Sequence, residues 1–142
     1  MINFIGLNFL KTDESSLREW IRRIASFEEN RIERIDYNFV SEAKMIKINK
    51  EFLKHDTLTD VITFDYTKEK IISAEVFVSK KALRENAGDH SQTLENEMLR
   101  LFSHAVLHCL GYKDKTKEEK QKMRKKETDC IKMFHVKQDS NV

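Results

Sequence analysis

Two histidines, His104 and His108, stand four residues apart in the segment LFSHAVLHCLGY. On a helix this spacing stacks both imidazoles on one face, about one turn apart, where they can share one metal ion. Gly111 ends the helix and lets the chain turn back, so that Asp114 can reach the same point. Two imidazoles and one carboxylate suit zinc, and three protein ligands leave a fourth position open for water. The spacing therefore predicts one zinc ion per chain, held by His104, His108 and Asp114.

The reaction class follows from the residue after the first histidine. Ala105 stands where zinc peptidases of the H-E-x-x-H type carry the glutamate that acts as general base, so peptide hydrolysis by that scheme is disfavoured. A zinc-bound water has a pKa near ~7 and attacks without a strong local base, which favours hydrolysis of another bond. A competing interpretation is structural, because a histidine on an apolar helix is more often a hydrogen-bonded core residue than a ligand.

The segment 113–126 is basic. It holds seven lysines and one arginine against three acidic residues, a net charge of +5, whereas the whole chain carries +2. Beside a hydrolytic site such a segment attracts a polyanion, so the candidate substrate is RNA, DNA or a phosphoester. For an RNA substrate, we predict that Lys113, Lys115, Lys117 and Lys120 contact its phosphates. Lysine-rich helices are often only solvated faces, which is the alternative.

The elements that position these residues follow from hydrophobic periodicity and capping signals. Thr93 is a cap for a long helix that reaches residue 110 and is apolar on nearly every side, so the metal-site helix is central and mostly buried. Strands are predicted at 2–7, 34–41, 61–65 and 74–80, and helices at 42–53, 80–86, 93–110 and 116–134. A first helix, capped by Asp13, Ser15 or Ser16, is predicted to run to about 27. The helix at 42–53 carries Met45, Ile48 and Phe52 on one face. This order predicts an α+β fold, a mixed sheet of about four strands covered by helices.

Length and composition limit the classes of protein that remain. The 142 residues, 39% of them hydrophobic, fit one globular domain over 1–142 and exclude an intrinsically disordered chain. The longest uncharged stretch, 101–112, is too short to cross a bilayer, and the N-terminus shows no secretory signal. Cys109 and Cys130 are the two cysteines of a chain that is long enough to fold without disulfides, and they form no C-x-x-C motif, so we expect reduced thiols in a cytosolic protein. We expect no membrane partner. We predict that Cys109 is a small core residue.

Two motifs resemble a known family. The stretch HAVLHCLGYKD resembles the H-G-x-L-H-L-x-G-Y-D-H signature of the YbeY family of bacterial rRNA maturation factors, and INKEFLKHDTLTDVITF is similar to its L-N-x-x-Y-R-x-K-D-x-P-T-D-V-L-S-F segment. The resemblance spans roughly 35–131. It implies a zinc-dependent, single-strand-specific endoribonuclease of the bacterial cytoplasm, with ribosomal RNA or the small ribosomal subunit as partner. Its implied roles are maturation of the 3′ end of 16S rRNA and ribosome quality control.

The resemblance carries the metal ligands over to His104, His108 and Asp114, although the family has a third histidine where this chain has the aspartate. The arginine of the family's Y-R falls on Leu53, and its proline falls on Leu58. A cation expected near the cleft is therefore missing, and Lys54 or His55 is the candidate to replace it.

Two acidic residues are candidates for catalysis. The family's G-D-I triplet reads Ala74, Glu75, Val76 here, which keeps an acid that is longer by one methylene group. Asp60 lies just before a predicted strand in TDVITF, where an acid is more often a turn or cap residue than a catalytic one. The resemblance favours Glu75 and Asp60 as the catalytic acids.

Two other functions remain open. A zinc hydrolase of a small phosphoester or amide has activity that is indifferent to salt and has no affinity for RNA. A ribosome assembly factor with a purely structural metal binds ribosomal subunits normally after His104 is replaced.

Overall fold

The structure is a computed structural model that describes residues 1–7, 10–53 and 60–140. The elements follow the predicted order, and their bounds are β1 Ile2–Ile5, α1 Glu14–Phe27, β2 Arg31–Val40, α2 Glu42–Ile48, a π-helical turn Asn49–Leu53, β3 Val61–Asp65, β4 Ile71–Ser79, α3 Lys80–Asp89, α4 Leu94–Cys109 and α5 Lys117–Ser140. Among the described residues the longest helix is α5, which is rich in lysine. No helix in these ranges combines the length and the apolar composition that a bilayer crossing requires.

The four strands form one mixed sheet in the order β1-β2-β4-β3. The pairs β1–β2 and β2–β4 are parallel, whereas β3 runs antiparallel to β4 at the edge. The main core packs α1, α4 and α5 on one face of the sheet, and a smaller cluster that contains Met45, Ile48 and Ile62 lies apart from it. The predicted α+β class with four strands and a central site helix is confirmed.

Several boundaries differ from the prediction for reasons of tertiary pairing. The strands β2 and β4 begin three residues early, because Arg31 and Ile32 pair with Ile71 and Ile72. Strand β1 ends before Gly6, which has a φ of 87°; a Cβ there would lie 3.0 Å from the carbonyl oxygen of Phe39. Both the left-handed backbone conformation and the close carbonyl oxygen therefore disfavour a side chain at this position.

The predicted helix over 42–53 is α-helical only to Ile48, and the following turn is π-helical. A π-turn has more residues per turn than an α-helix, so it rotates the side chains that follow. Phe52 is consequently 63% exposed and meets the edge of the Phe64 ring at a centroid distance of 5.6 Å. The prediction that Phe52 shares the buried face of Met45 and Ile48 is wrong.

Helix α4 begins and ends as predicted. The Thr93 hydroxyl accepts a hydrogen bond from the Asn96 amide, which caps the first turn. At the other end the Tyr112 amide donates to the Leu107 carbonyl at 3.0 Å and Gly111 has a φ of 101°. These are the bonds of a glycine-terminated helix. Because most residues of α4 are buried, the helix is a rigid support for any side chain at its surface.

Candidate active site

A cleft of about 310 Å³ opens where α3, α4 and α5 meet the start of β3. Its walls carry mostly charged and polar side chains, among them Asp60, Asn86, Glu97, Arg100, His104, Asp114, Lys120, Arg124 and Glu127. Three residues that the sequence singled out for chemistry, Asp60, His104 and Asp114, therefore share one cavity. Both acidic and basic groups line it, which suits an anionic substrate together with a cation.

His104 is held by a carboxylate from the neighbouring helix. Its Nδ1 lies 2.7 Å from Oε2 of Glu127, whose side chain is only 8% exposed. Arg100, one turn before His104 on α4, donates from Nη1 to the other oxygen of Glu127 at 3.2 Å. The three side chains form a partly buried hydrogen-bonded group between α4 and α5, so the imidazole cannot rotate without breaking a charge-assisted bond.

The second nitrogen of His104 faces the opposite wall. Its Nε2 lies 3.9 Å from Oδ2 of Asp114, a residue that is 45% exposed at the side chain. Burial by itself lowers the pKa of His104, but the hydrogen bond and charge of Glu127, with the charges of Asp114 and Asp60, outweigh burial. The pKa of His104 is therefore raised above its ordinary value of 6.5. The same three carboxylates, those of Glu127, Asp114 and Asp60, favour a positive charge at Nε2.

His108 is placed differently. It lies in the last turn of α4, is exposed, and is not among the residues that line the cleft. Within residues 1–7, 10–53 and 60–140, no three His, Cys, Asp or Glu side chains form a group close enough to hold a metal ion. Two of the three predicted ligands thus come together without the third, and the zinc site stays a prediction.

The two predicted catalytic acids lie in different places. Asp60 lines the cleft, and its Oδ2 accepts a hydrogen bond from Nδ2 of Asn86 at 3.0 Å, while its carbonyl accepts from the Ser79 amide. Glu75 is exposed on β4, accepts a hydrogen bond from the Tyr66 hydroxyl, and does not line the cleft. The structure therefore groups Asp60, but not Glu75, with His104.

Three of the four predicted RNA-binding lysines lie in the cleft wall or in a groove beside it. Lys120 lies in the cleft wall, and Lys115, Lys117 and Lys120 line an adjoining groove of about 390 Å³. Lys120 and Arg124 border both cavities, so the groove and the cleft share a wall made by two cations. Lys113 lies in a separate groove beside Tyr112 and Glu28. Lys54, His55 and Leu58 lie outside the described residues, and Leu53 ends the π-helical turn.

Sequence reasoning missed Glu127 and Glu97. Hydrophobic periodicity predicts that Met123, Thr128, Ile131 and Phe134 form the inward face of α5. In the structure Thr128 is only half-buried, while Glu127 and Cys130 are buried. Glu127 stands four residues from both Met123 and Ile131, so its position on the apolar stripe was the available signal. Cys109 is buried, as expected for a small core residue, and burial raises the pKa of its thiol to about 12.

Comparison with known proteins identifies the family. The sequence model described as Endoribonuclease YbeY matches residues 7–135. Proteins named Endoribonuclease YbeY from Flavobacterium johnsoniae and Flavobacterium psychrophilum are 41% and 39% identical, and the matches cover 97% and 98% of this chain and 100% of each relative. The solution structure of TM1509 from Thermotoga maritima is similar with a TM-score of 0.69 and 26% identity, over 99% of this chain and 93% of that one. This chain therefore belongs to the YbeY endoribonuclease family.

Proposed function

We propose that this endoribonuclease is zinc-dependent and specific for single strands, and that it matures ribosomal RNA at the small ribosomal subunit in the cytoplasm. The observation that carries the proposal is that two cavities share a wall made by two cations. His104 and Asp114 lie in the same cleft as Lys120 and Arg124, and these two cations also line the neighbouring lysine groove. A single strand that follows the groove by its phosphates is led to the candidate metal ligands.

The two proposed ligands that share the cleft, an imidazole and a carboxylate, are of the kinds that zinc accepts. Ligand atoms on a tetrahedral zinc ion lie roughly 3.3 Å apart, since Zn–N and Zn–O bonds are about 2.0–2.2 Å long. The 3.9 Å between Nε2 of His104 and Oδ2 of Asp114 is close to that separation, and exposed Asp114 is able to approach. His108, which is exposed one turn after His104 on α4, is the third proposed ligand. When bound, such an ion supplies Lewis-acid chemistry for phosphodiester hydrolysis.

The side chains around these ligands handle the substrate. We assign Lys120 and Arg124 to the phosphates on either side of the bond to be cut, a role supported by their position at the border of both cavities. Asp60, held by Asn86, is the cleft acid proposed to move a proton, since it faces the same cavity as His104. Glu75 lies outside the cleft, and its catalytic role stays a prediction.

The cytoplasm is the proposed compartment because both cysteines are free. Cys109 and Cys130 are buried, and neither forms a disulfide. A protein that acts in an oxidising compartment more often uses its cysteines as crosslinks. Ribosomal RNA as the substrate class rests on membership of the family.

The test combines metal analysis with RNA cleavage. We expect zinc-replete protein to carry about one zinc per chain, to cut single-stranded RNA in preference to a duplex, and to lose both properties in the His104→Ala variant. Lys44→Gln on α2, exposed and outside both cavities, is the matched surface control.

Three outcomes would contradict the proposal. Protein that contains no zinc after zinc-replete expression contradicts the proposed zinc dependence. Cleavage of a small phosphodiester that is indifferent to salt, without affinity for RNA, indicates a different hydrolase. A His104→Ala variant that binds small ribosomal subunits and supports their assembly like the parent indicates an assembly factor with a structural metal.

A further inference from the structure

The carboxylate of Glu127 lies between two hydrogen-bond donors of α4. Arg100 donates from Nη1 to Oε1 at 3.2 Å, and Nδ1 of His104 lies 2.7 Å from Oε2. An ionised carboxylate only accepts hydrogen bonds, so the histidine nitrogen that faces it carries the hydrogen. In the neutral imidazole the lone pair is then on Nε2, the atom that faces Asp114 across the cleft.

We propose that Glu127 is the positioning residue of this site: it holds His104 as the Nδ1–H tautomer, with the Nε2 lone pair presented to the metal. The inference rests on the proposed function, because it concerns the readiness of His104 to act as a ligand. Arg100 completes the arrangement by binding the second oxygen of Glu127, which prevents the carboxylate from turning away. The imidazole is therefore oriented before any cation arrives.

Only a carboxylate satisfies both neighbours at this position. A glutamine has one acceptor and one donor at its end, while Arg100 and the Nδ1–H of His104 both donate. In a Glu127→Gln variant the amide nitrogen must face one of them. If it faces Arg100, two donors oppose each other; if it faces His104, the histidine must change to the Nε2–H tautomer. Either arrangement weakens the preset ligand without changing the size of the side chain.

The first measurement needs no variant and no RNA. In metal-free protein with ¹⁵N-labelled histidine, at a pH where the imidazoles are neutral, long-range ¹H–¹⁵N spectra distinguish the two tautomers. We expect His104 to be the Nδ1–H form. A parent protein in which His104 is mainly the Nε2–H form overturns the inference, whether or not the protein cleaves RNA.

The second measurement compares zinc affinity in Glu127→Gln and Asp129→Asn, using competition with a chromophoric chelator. Asp129 lies two residues away on the same helix, is exposed, and loses the same charge. We expect a 10- to 100-fold loss of zinc affinity in Glu127→Gln, as for outer partners of ligating histidines, and no loss in Asp129→Asn. The spectra of Glu127→Gln should also show a changed His104 tautomer or a mixture.

The outcomes separate this inference from the proposed function. A Glu127→Gln variant with the parent's zinc affinity and tautomer shows that Glu127 only joins two helices, and it overturns the inference. A parent that binds zinc through a preset His104 but cuts no RNA contradicts the proposed function and leaves the inference standing. If Glu127→Gln does not fold, the tautomer of the parent still decides.

Discussion

His104 and His108 stand one turn apart on the same helix, yet they lie in different surroundings. His104 is three-quarters buried, with 24% of its side chain exposed, and is bonded to Glu127 from α5. His108 lies in the last turn of α4 and is exposed outside the cleft. The comparison teaches that helical spacing places two imidazoles on one face, whereas a partner on a neighbouring helix determines which imidazole is held.

The largest effects are expected from replacing the two histidines, which should differ in their effect on the free energy of unfolding. His104→Ala leaves the buried Glu127 with one partner fewer, so we expect the free energy of unfolding to fall by about 1–3 kcal/mol. His108→Ala removes an exposed side chain and should change it by less than about 0.5 kcal/mol. Both variants should lose zinc and reduce RNA cleavage by more than about 100-fold, because each lacks a ligand. Urea unfolding of the metal-free proteins and single-turnover cleavage measure these effects.

Equal destabilisation by the two substitutions would show that the hydrogen bond of His104 to Glu127 contributes nothing to the fold. Full zinc content in His108→Ala would remove His108 from the ligand set.

The next effect concerns the exposed ligand at the loop. Asp114→Ala should lose most of the zinc affinity, because only the two histidines remain, whereas Asp114→His should keep zinc. The carboxylate oxygen is a harder ligand than imidazole, so the parent should accept manganese better than Asp114→His does. Titration of each variant with both metals checks this order. An Asp114→Ala protein with unchanged zinc affinity would mean that Asp114 only follows the end of α4.

A smaller, graded effect is expected from the lysines. Replacing Lys113, Lys115, Lys117 and Lys120 by Gln should lower the slope of log K against log salt by ~0.7 for each lysine, measured with single-stranded RNA. Lys113 lies in a separate groove, so the triple variant that retains Lys113 tests whether the groove beside the cleft dominates. Lys44→Gln and Lys47→Gln on α2 are the control. If the quadruple variant bound RNA as tightly as the parent, the segment 113–126 would be only a solvated face.

The smallest effect is a pH dependence of stability in the metal-free protein. The pKa of His104 is raised in the fold, so the protonated imidazole stabilises the native state. This contribution is fully present below the unfolded-state pKa of about 6.5 and is lost as the pH rises through the folded-state pKa. We expect the Tm of the parent to fall more between about pH 5.5 and about pH 9 than that of His104→Gln. Parallel curves would contradict the raised pKa.

The local features of the site were accessible from the sequence. The cap at Thr93, the glycine at 111 and the apolar residues between them predicted α4 to within a residue at each end, because capping and periodicity are local effects. The early starts of β2 and β4 were not predictable in this way. Charged Arg31 and Glu33 break the alternating pattern there, and the strand exists because its backbone pairs with β4.

Glu127 illustrates why part of the site could not be predicted. It lies in the lysine-rich run MRKKET, where a charged residue reads as part of a solvated face. Its burial depends on Arg100 and His104, which are 27 and 23 residues away in the chain. Local periodicity marks the position as inward-facing, but only the packing of α5 on α4 supplies the two donors that make a buried carboxylate stable.

The amino-acid sequence by itself determined the order of the elements, the termini of the central helix and the spacing of His104, His108 and Asp114, because each depends on residues close together in the chain. The tertiary structure decided which of these side chains meet. It joined His104 to Glu127, placed Asp60 and Asp114 around the same cleft, and left His108 and Glu75 outside it. Contacts of this kind depend on how helices and strands pack, which short-range periodicity does not encode.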